Sequence, residues 1–470
     1  MEESATKEQG MNYELGNAPI GRLLLRLAIP SVLAQLVTLL YTIIDRVYIG
    51  HIEGIGEDAL TGVGLCMPIV CILSAFVNLI GQGGAPQASI AMGKQDMEKA
   101  EKILGNCMAA LVGIAVLITL FFTVFGRSLL MVFGASEKTI PYAYSYMQIY
   151  VLGSIFLMIS MGMNQFITAQ GFTRYSMVSV LLGAISNIVL DPIFIFGLGW
   201  GVRGAAFATV LSQALASIFV LWFLNSVRST LRIRKQYFRM ESKIMLPVLA
   251  LGVSPFIMQA TEAALNLSFN YSLQKYGGDA AVGAMTIAST IMQMIWIPTA
   301  GIGQGAQPII SYNYGAGNAG RVKKSVGLLF LFAESYMFLC WAAVELFPQV
   351  FIRMFSNSTG ELYMTAVWVV RLYIAAIGLF GIQNTVQQTF ISTGQAKASI
   401  FIACLRKVVL LIPFIFILPC FFENKVFAVF LAEPVSDMIS ITTAGLIFAW
   451  KFPKMMKKLE KSAVSTSVES

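Results

Sequence analysis

Residues 186–192 read Ser-Asn-Ile-Val-Leu-Asp-Pro and lie inside an apolar run, from about Met177 to Phe196, that is long enough to cross a lipid bilayer. Asn187 and Asp191 are four residues apart, so on a helix they share one face. A carboxylate in the hydrocarbon core costs about 3 kcal/mol even on lenient scales, and it usually faces a partner or a watery cavity. The stretch therefore predicts a membrane-spanning helix whose acid lies on an ion or substrate path. The alternative is an acid that only caps the helix end.

The composition indicates an all-α polytopic membrane protein. Of 470 residues, 57% are hydrophobic and only 12% are charged, whereas soluble domains are about 25% charged. The net charge of +8 then reflects membrane topology, and no nucleic-acid partner is expected. The six cysteines form no CxxC pair, His51 is the one histidine, and no P-loop motif occurs. We therefore expect no enzyme, metal or cofactor site, and any work must draw on an ion gradient or a partner.

Apolar segments predict twelve membrane helices in two lobes of six. The segments are residues 22–49, 60–92, 103–125, 142–170, 175–197, 203–225, 245–273, 281–313, 325–347, 363–391, 398–421 and 427–450. They divide the chain into an amino-terminal lobe (1–225), a basic linker (226–244), a carboxy-terminal lobe (245–450) and a basic tail (451–470).

Lysine and arginine positions predict the orientation in the membrane. If the amino terminus is cytoplasmic, 22 of the 32 basic residues lie in cytoplasmic segments or at their helix ends, seven lie in outer loops and three lie within helices. Positive residues concentrate on the cytoplasmic side of membrane proteins. We therefore expect both termini, the linker and the tail to be cytoplasmic.

The two halves resemble each other. A shift of 222 residues aligns Gly81-Gln82-Gly83 with Gly303-Gln304-Gly305, and it also aligns Pro86, Ser89 and Gly93 with identical residues, so that six of thirteen positions match. Six helices per half give both halves the same orientation, which predicts a parallel repeat with substrate bound between two rocking lobes. The Gly-Gln-Gly motif could also be taken for a nucleotide loop, but close helix packing explains its recurrence better.

The acids of the amino-terminal lobe predict an ion site. Asp45 and Asp191 fall at similar depths, and a cluster of Tyr41, Asp45, Asn187, Asp191 and Thr209 is geometrically feasible. Two carboxylates in a poorly hydrated pocket share a proton or recruit a cation, and nearby hydroxyl and amide oxygens suit sodium too. The residues do not choose between the two ions. The alternative for Asp45 is a salt bridge to Arg46 or an interfacial position.

Other residues are candidates for movement or for substrate contact. Pro30 interrupts the hydrogen bonding of helix 1 and is either a hinge or a static kink. Methionines at several positions either line an adaptable cavity or simply pack against helices and lipid. With them we count Glu262 in helix 7 and Gln383 in helix 10. The candidate cavity residues are Met158, Met161, Met258, Met292, Glu262 and Gln383. Two basic residues of helix 11, Arg406 and Lys407, are expected to extend toward the cytoplasm.

Several motifs together resemble the multidrug and toxic compound extrusion family over residues 20–450. They are Leu27-Ala28-Ile29-Pro30, Asp45-Arg46-Val47-Tyr48-Ile49-Gly50, Asn187-x-x-x-Asp191-Pro192, the run Gly201–Thr209, Gly303–Pro308 and Asn313-Tyr314-Gly315-Ala316. The chain is most similar to the branch named for DNA-damage-inducible efflux proteins, which includes staphylococcal-type multidrug exporters.

The resemblance implies an antiporter in the bacterial cytoplasmic membrane that expels bulky, often cationic drugs in exchange for protons or sodium, through a V-shaped pair of lobes. It implies that Asp45 and Asp191 couple to the ion, with Asn187 and Thr209 beside them and Pro30 at the kink. Other branches use acids in helices 7 and 10 for sodium, whereas here helix 10 has only amides, so a second-lobe sodium site is not expected. We expect a monomer. The alternatives are a lipid-linked sugar flippase, which needs a row of arginines, and a membrane enzyme or receptor.

Overall fold

The computed structural model describes residues 11–354 and 360–469. The first ten residues of the predicted amino-terminal lobe, five residues of the carboxy-terminal lobe and the last residue of the tail lie outside this description. The spans are α1 (Ile20–Gly50), α2 (Gly56–Gly93), α3 (Met97–Val132), α4 (Ile140–Leu152 with Ser154–Ala169), α5 (Thr173–Gly197), α6 (Gly201–Asn225), α7 (242–277), α8 (279–315), α9 (Ala319–Leu346), α10 (Leu362–Ser392), α11 (Ala396–Cys420) and α12 (Lys425–Ser462).

Twelve spans are therefore present within the described residues, as predicted. Helix α4 is bent by 56° between its two parts. The helical stretch Ser242–Gly315 holds two spans because its backbone breaks at Gly278, where φ is 59° and ψ is −157°. Only glycine adopts such a conformation readily, so this residue ends α7 and starts α8. The twelve helices form two lobes of six, which confirms the predicted fold class.

The repeat is visible in the turns that start α3 and α9. Asp96 caps α3 by accepting a hydrogen bond from the amide of Lys99 (3.1 Å), and Asn318 caps α9 by accepting one from the amide of Arg321 (3.3 Å). The two caps are 222 residues apart. The residue before each cap has a positive φ, 62° at Gln95 and 75° at Gly317. The same capped turn therefore occurs in both lobes, in register with the sequence repeat.

Glycines of the repeat bring the lobes into backbone contact. A Cβ added at Gly93 of α2 would lie 2.0 Å from the carbonyl oxygen of Tyr312 in α8, and one added at Gly315 of α8 would lie 2.1 Å from that of Ile90 in α2. The two contacts are equivalent under the 222-residue shift. We call this interface the linker-side seam, because it lies at the end of the bundle where α6 leaves for the linker. It consists of Gly83, Gly93, Gly252, Gly301, Gly305 and Gly315, each of which meets the other lobe.

The linker is attached to the amino-terminal lobe. The Gln170 carbonyl accepts hydrogen bonds from Ser229 (3.1 Å) and from the amide of Leu231 (2.9 Å). The Asn106 side chain bonds to the amide of Glu241 (2.7 Å). These contacts follow the rule that buried backbone groups need partners. The linker therefore moves with one lobe, and α7 begins where that attachment ends.

Candidate functional site

The acids of the amino-terminal lobe lie together in the structure. The carboxyl groups of Asp45 in α1 and Asp191 in α5 are at hydrogen-bonding distance from each other. Asp191 is fully buried, and its Oδ1 accepts a hydrogen bond from Asn187 Nδ2 (3.1 Å). The same amide nitrogen is 3.4 Å from Thr209 Oγ1 in α6. The spacing of Asn187 and Asp191 on one helical turn thus holds the second carboxyl group in place.

Three oxygens of this cluster have no hydrogen-bond donor among the described residues. They are Asp45 Oδ1, Asp191 Oδ2 and Asn187 Oδ1, and all three are buried. The guanidinium of Arg46 is directed to Met67 Sδ (3.5 Å), so the structure does not favour the alternative of a salt bridge with Asp45. Buried acceptors without donors are costly. One proton shared by the carboxyl groups, or one cation among these oxygens, would satisfy them.

A polar cavity lies beside the carboxyl pair. It has a volume of about 910 Å³ and is bounded by α1, α4, α5 and α6, with Gln304 of α8 at its edge. Tyr41, Asn187 and Thr209 line it, so the cluster is continuous with this space. The sequence did not identify the rest of its polar wall, although hydroxyl and amide groups recur at helical spacing. They are Ser31, Gln35, Thr38, Ser160, Asn164, Gln165, Thr168, Ser176, Ser179, Ser212 and Gln213.

Pro30 is buried inside α1, on the linker side of the cavity wall. Helix α1 runs without interruption from Ile20 to Gly50. Proline has no amide hydrogen, so the hydrogen bond that would hold this turn is missing. The position leaves both the hinge and the static kink open.

The methionine predictions were partly wrong. Met161 lines the polar cavity, and Met258 and Gln383 line a second pocket of about 320 Å³ in the carboxy-terminal lobe. Met158 is instead fully buried in the core of the amino-terminal lobe, and Met292 packs on the core of the other lobe. The reason is that methionine fills gaps between helices as readily as it lines cavities.

The prediction for helix 11 was wrong. Arg406 is buried and bonds to Asp437 (2.6 Å) and Glu433 (2.9 Å) of α12. Lys407 is also buried and pairs with Glu262 of α7. A buried basic group needs a carboxylate more than it needs the interface. The signal was present in the sequence, since the acids of helices 7 and 12 had no assigned partner. Glu345 does pair with Arg371, at 3.9 Å.

No group of three or more metal-binding side chains drawn from histidine, cysteine, aspartate and glutamate occurs in the described ranges. The oxygens of Asp45, Asn187, Asp191 and Thr209 are the donors that sodium would use. They are a small set for a hard cation, which usually takes about six oxygen ligands.

Comparisons with known proteins agree with this architecture. The MatE family model matches the chain twice, at residues 30–193 and 255–417, once in each lobe. The multidrug export protein MepA of Staphylococcus haemolyticus is 24% identical over 90% of this chain and 92% of its own length. MepA of Staphylococcus aureus (strain NCTC 8325 / PS 47) is 22% identical over 93% of this chain and 96% of its own length.

Solved structures share the fold. A MATE crystal structure in a bent conformation superimposes with a TM-score of 0.88 at 22% identity, covering 96% of this chain and 99% of that one. An outward-facing multidrug resistance MATE transporter gives a TM-score of 0.87 at 22% identity, covering 94% and 98%. Because the family model covers well over half of the residues, once per lobe, this chain belongs to the MatE family, the multidrug and toxic compound extrusion family that its motifs resemble.

Proposed function

We propose that this chain is a multidrug exporter of the bacterial cytoplasmic membrane that exchanges bulky, often cationic organic compounds for protons. The proposal is supported by the export activity named for its staphylococcal relatives and by the twelve-helix fold. The chain works as a monomer with both termini in the cytoplasm, as its basic residues indicate. The linker-side seam is then the cytoplasmic closure, and the lobes separate toward the outside.

The carboxyl pair of Asp45 and Asp191 is the observation that carries the proposal. Two carboxylates in contact, with two oxygens lacking donors, cannot both remain ionised without a proton or cation between them. Uptake of one proton therefore changes the net charge of the cluster and the attraction between α1 and α5. A site that binds an ion only in one arrangement of two helices couples that ion to a conformational change.

Helix α1 connects the ion site to the substrate space. It carries Asp45 near its outer end, and its Gln35, Thr38 and Tyr41 form one wall of the polar cavity. When the pair is protonated, α1 can approach α5, bending where Pro30 lacks its hydrogen bond. That movement narrows the cavity and expels its contents outward. Release of the proton to the cytoplasm then restores the cavity.

The coupling ion decides between a proton and sodium. A shared proton satisfies the two carboxylate oxygens directly, whereas sodium needs further ligands beyond Asn187 and Thr209. We therefore favour the proton. The flippase alternative has less support, because Arg406 and Lys407, which would have to bind pyrophosphate, are paired with three carboxylates.

The test uses purified full-length protein in vesicles with an imposed pH or sodium gradient and a fluorescent lipophilic cation. We expect the pH gradient to drive export, and Asp191→Asn to abolish it by at least tenfold. Asp58→Asn is the matched control, because Asp58 is exposed at the start of α2. Export driven only by sodium would replace the proton in this proposal. Normal export by well-folded Asp191→Asn would overturn the coupling site.

A further inference from the structure

The carboxy-terminal lobe presents a carboxylate to the space between the lobes. Glu262 of α7 has 48% of its side chain exposed, whereas the ammonium group of Lys407 that pairs with it is on a side chain only 5% exposed. Lys407 also donates to the carbonyl oxygen of Met258 (2.9 Å), one turn earlier in α7. Cys71 of α2, in the other lobe, lies near Glu262 and bonds to Gln259. The acid therefore faces across the cleft, held from behind by a lysine.

The cluster around this acid lacks one positive charge. Glu262, Glu433 and Asp437 supply three carboxylates, and Arg406 and Lys407 supply two cations. The neutral phenol of Tyr373 in α10 packs against the same groups. In a poorly solvated interior, an uncompensated charge is expensive unless a partner arrives. Among the three acids, the other two are buried, so Glu262 is the place where a further cation can reach the cluster.

The adjoining pocket has the walls that an organic cation uses. It extends from Met258 and Lys407 to Trp296 and has a volume of about 320 Å³. The face of Phe380 in this pocket is covered by Arg406, 4.4 Å from the ring centre, but Trp296 offers its own ring. Aromatic faces attract cations, and methionine adapts to varied shapes.

Two polar atoms in this pocket have no partner. Gln383 Oε1 and Gln387 Oε1 are buried without a hydrogen-bond donor among the described residues, and both side chains line the pocket. The amide nitrogen of Gln387 is already used by Ser254 (2.5 Å) and Ser399 (2.8 Å), which fixes its orientation. Both oxygens need a donor. The N–H groups that organic ammonium ions carry would supply one.

We propose that Glu262 binds the positively charged group of exported organic cations, with Lys407 as the positioning residue that holds its carboxylate toward the cleft. The site rests on the proposed export function and adds its substrate contact. Binding of one cation makes the cluster neutral with every group ionised. The ion pair of the amino-terminal lobe and this substrate carboxylate are then separate, one in each lobe.

The first test measures equilibrium binding of a lipophilic phosphonium cation to the purified full chain in detergent, without any gradient. We expect Glu262→Gln to weaken binding at least tenfold. Glu345→Gln is the matched control, because Glu345 pairs with Arg371 away from this cluster, and it should bind as the parent does. Unchanged binding by folded Glu262→Gln would overturn the site.

A charge exchange separates a binding role from a structural one. The double variant Glu262→Lys/Lys407→Glu keeps the ion pair and the net charge, but it turns a cation toward the cleft. We expect it to retain the parent's thermal stability within a few degrees and to lose phosphonium binding by at least tenfold. Retained binding would mean that the pair only holds α7 and α11 together.

Lys407 and the coupling site each have a distinct readout. Lys407→Gln is expected to make phosphonium affinity pH-dependent between pH 6 and 8, because Glu262 then competes for protons without its lysine; a pH-independent affinity like that of the parent would refute the positioning role. Asp191→Asn should bind phosphonium normally while failing in gradient-driven export. If Asp191→Asn exports normally but Glu262→Gln loses binding, the coupling proposal fails and the substrate site stands.

Discussion

Replacing Gly93 by alanine should open the linker-side seam. In the closed arrangement the added Cβ would lie 2.0 Å from the carbonyl oxygen of Tyr312, whereas ordinary contact begins at 3.4 Å. The two backbones must therefore separate by about 1.4 Å, from 2.0 Å to 3.4 Å. The neighbouring atom is a main-chain oxygen, so no side chain can rotate away. Overpacking of this kind costs about 1–3 kcal/mol.

The cost applies only to the conformation in which the lobes meet at this seam. It should therefore shift the equilibrium toward the form that is open on the linker side by roughly 5- to 150-fold. Gly315→Ala, at the equivalent position of the repeat, should act in the same way. Because both contacts belong to one interface, the double variant should shift the equilibrium by less than the product of the two single effects.

The assay is a distance measurement between probes at Lys99 and Lys324, near the starts of α3 and α9, in protein whose native cysteines have been replaced. The parent should show mainly the short distance and Gly93→Ala mainly a longer one. Gly113→Ala is the control, because its added Cβ meets nothing within 4 Å. If folded Gly93→Ala keeps the distance distribution of the control, the seam does not hold the lobes closed.

Three further outcomes are expected. Asn187→Ala removes a hydrogen bond to a buried carboxylate, which is worth about 1.5–3 kcal/mol, and should lower gradient-driven export about tenfold or more; export equal to that of the parent would exclude a role in coupling. Arg406→Met leaves two buried carboxylates without their cation and should lower stability by about 3–5 kcal/mol, whereas Lys323→Met breaks an exposed pair worth about 1 kcal/mol or less; equal effects in denaturant unfolding would contradict this difference. Gln170→Ala releases the linker and should speed its proteolysis and amide exchange, and unchanged protection would show that other contacts hold it.

Much of the fold could be predicted because it depends on local and periodic features. Apolar runs of bilayer length define the spans, and the 222-residue repeat implies two lobes of like orientation. The break between α7 and α8 follows from a glycine flanked by helix-forming segments. The site at Asp45 and Asp191 could be placed by counting along helices, since rise per residue sets depth, and a rare acid in an apolar run has few roles.

Other features depended on which helix lies beside which. Sequence spacing says nothing of the rotation of α11 against α7 and α12, so Arg406 and Lys407 were expected to extend toward the cytoplasm, whereas packing turns them onto three acids. Met158 was likewise assigned to a cavity and lies in the core. The sequence by itself determined the helices, the repeat and the depth of the acids, because these follow from distances along the chain. Only the tertiary structure decided the partners of buried charges, because lateral packing of the helices sets which side chains meet.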